Sequence, residues 1–204
     1  CRAIGFTLGI PGRSEVGVVE DILADRAFLE QRDTHALELA TVDDVRPPVP
    51  HQIANALAAA AMARSFDVQP RHIGLGLRQF EPARHRIADV GRVDDVLYID
   101  DSKATNAHAA DMSLRAYDPV VWIAGGLAKG QSFDDLVQRH ARRLRAVVLL
   151  GADRELILAA LQRHAPDVPV EVVTGTDTGA MQEVVTRAAG LAQTAQAPVK
   201  FGAT

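Results

Sequence analysis

Six consecutive residues, Asp101-Ser102-Lys103-Ala104-Thr105-Asn106, put a carboxylate, two hydroxyls, an ammonium and an amide on one short stretch. They follow Val96-Leu97-Tyr98-Ile99-Asp100, whose β-branched and aromatic residues read as a strand. A polar cluster at the carboxyl end of a strand, passing into a helix, is where open α/β sheets bind ligands. The first turn of that helix would add unpaired N–H groups that favour an anion. Such a set binds anions and orients reactants, as phosphoryl and acyl-phosphate chemistry requires. Read structurally, the same residues are an Asp-Ser helix N-cap beside a solvated lysine.

A second turn, Ala124-Gly125-Gly126-Leu127-Ala128-Lys129-Gly130, again follows a strand-like run and again carries a lysine. Its glycines would let the backbone approach a ligand closely. It has neither the Gly-Lys-Ser/Thr ending of a Walker A loop nor the Gly-x-Gly-x-x-Gly spacing of a dinucleotide turn, so a ligand loop and a structural loop both stay open. Lysine occurs only at Lys103, Lys129 and Lys200 among 22 basic residues. A flexible point charge is useful where a phosphoryl or carboxylate group moves, although a preference for arginine codons would leave the same pattern. His85-Arg86 could stack on a base and pair with phosphate, or be plain surface residues. The seven histidines form no HExxH or Cys/His motif, and no metal site is expected from them. There is no Gly-x-Ser-x-Gly elbow and the one cysteine is Cys1, which argues against a hydrolase triad.

The elements that must position these groups fall into two regions. Residues 1–45 read as an antiparallel meander with strands at 3–8, 17–19, 26–29 and 36–40, parted by Gly9-Ile10-Pro11-Gly12 and Gln31-Arg32-Asp33. Pro47-Pro48-Val49-Pro50 cannot be helical, and the Ala-, Leu- and Met-rich run 51–66 that follows predicts a helix with His51 and Asn55 on one face. Pro70 suits the first turn of a second helix over 71–80. Period and composition change at Glu81-Pro82-Ala83, the expected domain junction. Strands are then predicted at 86–90, 96–100, 120–124, 146–150 and 170–173, alternating with helices at 105–117, 133–144, 154–164 and 179–193. Ser132 with Asp135, Asp153 and Thr178 supply the helix start signals. Repeated β-α units imply an α/β fold with a mostly parallel, doubly wound, Rossmann-like sheet.

The 204 residues suit one large or two smaller domains, and 48% hydrophobic content supports an ordinary core. A net charge of −4 argues against nucleic-acid or membrane binding by bulk electrostatics, which leaves a small-molecule partner. With a single cysteine and no run of about 20 apolar residues or signal-peptide layout, a cytoplasmic setting is expected. Lacking an initiator methionine, the chain reads as a piece of something longer.

In order, His51-x-x-x-Asn55-Ala56-Leu57-Ala58-Ala59-Ala60, Phe80-x-x-x-x-His85-Arg86, Asp101-Ser102-Lys103-Ala104-Thr105-Asn106 and Trp122-Ile123-Ala124-Gly125-Gly126-x-x-Lys129-Gly130 resemble the muramyl (Mur) ligase family over nearly the whole chain. The likeness is greatest to its actinobacterial D-glutamate-adding branch. The resemblance implies an ATP- and Mg²⁺-dependent amide ligase of peptidoglycan synthesis, and hence of cell-wall biogenesis, cell shape and cell division. Its carboxylate substrate, UDP-N-acetylmuramoyl-L-alanine, would be activated as an acyl phosphate and attacked by D-glutamate. It further implies that Asn55 touches the adenine, that His85, Arg86, Asp101 and Asn106 lie toward the nucleotide, and that Lys103 sits by the transferring phosphoryl group. Thr105 and Lys129, with Ser102 beside them, would hold D-glutamate. Residues 1–82 would be the last part of the central ATP-binding domain, and 83–204 an incomplete C-terminal, D-glutamate-binding domain.

Three departures accompany the resemblance. Gln52 stands where the pattern has asparagine. The Gly-Lys-Thr loop and most Mg²⁺ ligands are expected ahead of Cys1, and the serine-containing strand and phenylalanine that hold the side-chain carboxylate beyond Thr204. The chain alone is therefore expected to be an inactive monomer. A non-catalytic nucleotide-binding or interaction module is the rival reading, and a folylpolyglutamate-type ligase a third.

Overall fold

Asp25 shows how the first region is assembled. Its carboxylate, fully buried, accepts the N–H groups of Ala27 (2.7 Å) and Phe28 (3.0 Å) and pairs with Arg64 Nε at 2.9 Å. Those two N–H bonds close a turn, so the chain leaves the sheet at Asp25. The expected strand at 26–29 is accordingly absent, and the strand lies earlier, at Ile22–Asp25. In the computed structural model, which describes residues 2–175, 178–195 and 199–203 (only the backbone of 178, 194, 195 and 199–203), the chain divides into two compact units, Cys1–Pro82 and Ala83–Thr204.

The first unit has a four-stranded sheet in the order β1 (Gly5–Phe6), β2 (Glu15–Val19), β3 (Ile22–Asp25) and β4 (Leu37–Thr41). The expectation of a wholly antiparallel meander fails at β1, which runs parallel to β2. The segment between them folds back over Gly17, where a Cβ would lie 2.5 Å from the Gly9 carbonyl, and that carbonyl accepts the Val18 N–H at 2.9 Å. A single 3-10 turn (Val42–Asp44) leads to α1 (Pro50–Ser65) and α2 (Pro70–Gln79). Each helix starts with proline at its first position, where the missing N–H costs no hydrogen bond, so the non-helical prolines end at Pro48 rather than Pro50. Leu57 and Ala60 of α1 and Ile73 of α2 close on Val16, Leu23 and Leu39 of the sheet.

The second unit has six strands in the order β5-β6-β10-β7-β8-β9: β5 (Ala88–Val93), β6 (Val96–Asp100), β10 (Val199–Ala203), β7 (Val120–Gly125), β8 (Leu144–Leu150) and β9 (Val170–Val172). Only the β5–β6 pair is antiparallel. The strand β10 was not anticipated from sequence; it lies between β6 and β7, and of the chain's last stretch Ala197, Pro198 and Thr204 lie outside the described residues. Alternation along β7 makes the sheet two-faced. Val120, Trp122 and Ala124 pack with Phe133, Leu136, Ile157 and Leu161, while Val121 and Ile123 pack with Val184, Ala188 and Ala192. The helices α3 (Ala107–Leu114), α4 (Asp134–His140), α5 (Arg154–His164) and α6 (Thr178–Ala195) thus cover both faces of a Rossmann-like α/β sheet.

Several boundaries shift from their sequence-based positions. The strand predicted at 86–90 begins at Ala88, because Ile87 holds a positive φ of 50° and its N–H bonds a side chain. The expected Ser132–Asp135 capping box does not form; Ser132 Oγ instead donates to Asp134 Oδ2 at 2.9 Å and Phe133 occupies the cap. The predicted 133–144 helix ends at His140, and Leu144 opens β8. Asp153 stands at the cap of α5 without capping it, and the side chain of Thr178 lies outside the described residues. Among the described residues no helix is long and apolar enough to cross a membrane.

Candidate functional site

The turn after β6 is held by a clasp between two segments. Lys103 N–H donates to the His85 carbonyl at 3.1 Å, the Ile87 N–H donates to Asp101 Oδ1 at 3.1 Å, and His85 Nδ1 meets Asp100 Oδ2 at 2.6 Å. His85 and Ile87 both carry positive φ, 66° and 50°. Backbone of that kind costs about 1–3 kcal/mol per residue and persists only where surroundings over-determine it. The three clasp bonds supply that determination.

Each predicted site residue here can now be placed. Lys103, Thr105, Asn106, His85 and Arg86 are exposed, Ser102 is half-buried, and Asp101 is buried with its carboxylate on Ile87. Asp101 therefore holds the turn rather than facing solvent. The carboxylate within reach of solvent is Asp100, which sequence reasoning left inside the strand. Burial works against its ionisation, but the Ser102 N–H (2.9 Å) and the His85 imidazole outweigh that and hold the carboxyl below its ordinary range.

Helix α3 starts later than expected and is capped differently. Its N-cap is Asn106, whose Oδ1 accepts the Ala109 N–H at 2.8 Å, not Asp101-Ser102, which lie in the turn before it. The Ala107 N–H is taken by Gln131 Oε1, also at 2.8 Å. Two first-turn donors expected to be free for an anion are thus already satisfied. An anion at this turn would have to be met by side chains, of which exposed Lys103 supplies the cation.

Gln131 belongs to the second lysine-bearing turn, so its bond to Ala107 ties that turn to the first. Both turns sit at carboxyl ends of parallel strands, β6 and β7, separated by β10 alone. The second turn is pinned further by Asp153, whose Oδ2 accepts the Ala128 N–H (2.8 Å) and whose own N–H reaches the Gly126 carbonyl (3.1 Å). Gly125 has φ 154° and a Cβ there would lie 1.8 Å from the Leu150 carbonyl oxygen. Lys129, exposed, is itself left-handed at φ 49° and is followed by Gly130 at 77°. Gln131 and Asp153 were missed because their partners are 24 and 25 residues away in the chain.

Asn55 belongs to the first unit and is described there by itself. It lies exposed on α1 with Nδ2 donating to Gln52 Oε1 (3.3 Å), at the rim of a cavity of about 110 Å³ lined by Val45, Arg46, Ala56, Ala59, Leu77 and Phe80. Largely apolar walls with amides at the rim suit a flat, weakly polar ring. Among the described residues no three His, Cys, Asp or Glu side chains gather as round a metal ion.

The doubly wound sheet, with a lysine-bearing turn at the carboxyl end of two of its strands, defines a Rossmann-like α/β protein. No family model matches the chain. Over 192 residues it is 64% identical to a protein of Streptomyces avermitilis named UDP-N-acetylmuramoylalanine--D-glutamate ligase, covering 94% of the chain and 41% of the relative. Proteins of the same name from Streptomyces coelicolor (61%, 95% of the chain and 41% of the relative) and Thermobifida fusca (59%, 93% and 41%) match similarly. The chain is thus similar over nearly its whole length to ligases of this name, and it spans 41% of the length of these relatives. Its fold is shared with a pseudomurein peptide ligase type C from Methanothermus fervidus (TM-score 0.61, 14% identity, 93% of the chain and 39% of that structure). The UDP-N-acetylmuramate-alanine ligase MurC from Thermotoga maritima shares it too (0.58, 14%, 83% and 36%).

Proposed function

We propose that this chain is part of an ATP-dependent amide ligase that joins D-glutamate to UDP-N-acetylmuramoyl-L-alanine through an acyl phosphate, in cytoplasmic peptidoglycan synthesis. The observation that carries the reading is the 64% identity, over nearly the whole chain, to a relative named for that reaction. The geometry supports it, because Lys103 and Lys129 stand on two turns joined by Gln131, where two anionic groups could be held side by side.

In this reading residues 1–82 complete an ATP-binding domain, and Asn55 meets the adenine at the apolar cavity of α1. His85, Arg86 and Asn106 lie toward the nucleotide, and Asp101 acts indirectly by shaping the turn. Lys103 stabilises charge on the transferring phosphoryl group, while Thr105, Ser102 and Lys129 hold D-glutamate. Bound Mg²⁺ would neutralise phosphate charge. The residues of this chain bind and orient, which is the part of such chemistry a protein supplies.

The test uses a ligase that contains this region, assayed for phosphate release with ATP, D-glutamate and UDP-N-acetylmuramoyl-L-alanine. Lys103→Ala should lower turnover about a hundredfold or more, the scale of losing one transition-state charge partner. Undiminished turnover would overturn the role of Lys103, and no turnover by the unaltered protein would overturn the reading itself. The 204 residues contain no Gly-Lys-Ser/Thr loop, and titrated alone with ATP they should bind weakly.

A further inference from the structure

Asp100 lies outside every role proposed above, yet it makes the shortest polar contact at the turn. Its two carboxylate oxygens are used separately: Oδ1 accepts the Ser102 N–H at 2.9 Å and Oδ2 meets His85 Nδ1 at 2.6 Å. The first bond fixes the carboxylate on the backbone of the turn. The second reaches a histidine whose own backbone is left-handed and whose carbonyl is held by the Lys103 N–H. His85 is thus located by main chain and side chain at once, although its side chain is 52% exposed. A surface histidine with no task would not need two such restraints.

The chemistry of the pair sets the proton. Asp100 is held in its ionised form, and a carboxylate can only accept, so the proton of the 2.6 Å bond resides on His85 Nδ1. Nε2 is then left on the other side of a half-exposed ring, beside the turn that carries Lys103. We propose that Asp100 is a positioning residue, which fixes the ring and tautomer of His85 so that Nε2 is presented as an acceptor to a hydroxyl of the nucleotide. The proposal rests on the reading of this turn as facing the nucleotide. The role follows the general pattern in which a carboxylate on one ring nitrogen decides what the other can do.

Two measurements separate the proposal from that reading. In the 204-residue chain, long-range ¹H–¹⁵N NMR of the His85 ring should show Nδ1 protonated in the neutral form. Asp100→Asn, whose amide oxygen can still accept, should keep that tautomer, and Asp100→Ala should release it toward the Nε2-protonated form of a free histidine. A dispersed amide spectrum shows that each variant is folded, and Asp100→Leu, which also lacks an acceptor, serves if Ala is not. An Nε2-protonated His85 in the unaltered chain, or one that Asp100→Ala does not change, would overturn the positioning role while leaving the nucleotide reading intact. In a ligase carrying this region, Asp100→Ala should raise KM for ATP about three- to tenfold, the scale of one net hydrogen bond, with KM for the amino-acid substrate unchanged. A released tautomer with an unchanged KM for ATP would overturn the presentation of His85 to the nucleotide.

Discussion

Asp111, on α3, is 5% exposed and still gathers three cationic or titratable partners. Its Oδ1 meets His140 Nε2 and Arg139 Nη1, and its Oδ2 meets Arg115 Nη2, all at 2.8 Å. Burial opposes its ionisation, but His140 and the two arginines outweigh that and hold the carboxyl below its ordinary range. Removing it strands the imidazole of His140, itself 2% exposed, without this partner. Asp111→Ala should therefore cost about 1–3 kcal/mol, read as a lower urea midpoint. Burial, opposed by Asp111 and reinforced by Arg143 and Arg115, depresses His140 below its ordinary 6.5. A depressed group contributes stability that is complete above 6.5 and is lost as pH falls toward its folded value. The urea midpoint should thus decline as pH falls below about 6.5, and His140→Asn should flatten that decline. The charge on the two arginines is unchanged across this window, which isolates the histidine.

Among the elements, the β7–α4 connection makes the sharpest demands on sequence. Gly125→Ala would place a methyl 1.8 Å from the Leu150 carbonyl oxygen, whereas Gly130, at φ 77°, has open space around it. Gly130→Ala should cost only the left-handed penalty of about 1–2 kcal/mol. Gly125→Ala should cost well beyond that, and comparing the thermal midpoints of the two variants checks the ranking. Gln131→Ala should cost about 1 kcal/mol by releasing the Ala107 N–H, and amide exchange at Ala107 should rise with it. Elements whose signals are local were legible in advance: β6 and α5 occupy the predicted residues, because one is a bounded β-branched run and the other a periodic run between Asp153 and Ala165. The lysines of the site were legible as types at strand ends. Their partners were not, since Gln131 and Asp153 act across a fold that must form first. The same distance hid the inward turn of Asp101 and the outward one of Asp100, which local spacing alone does not assign to sides.

At the scale of the molecule, each unit closes its own core, with Leu57 and Leu23 in the first and Trp122 and Phe133 in the second. Residues 83–204 expressed alone should therefore unfold in one cooperative denaturant transition, and a gradual loss of far-UV signal would show that they depend on the first unit. The register of β10 has a consequence for the order of events during synthesis. Its residues pair with Tyr98, Ile99 and Asp100 on one side and with Val121 through Gly125 on the other, so the strand nearest the middle of the sheet is translated after all its neighbours. Until it emerges, β6 and β7 each present an unpaired apolar edge, the kind of surface that nucleates aggregation. A nascent chain ending before Val199 should accordingly be retained by chaperones or collect in the insoluble fraction. The two lysine-bearing turns, about 9–10 Å apart across one intervening strand, come into register only once that strand has joined the sheet. Juxtaposition of the two turns is thereby timed by translation.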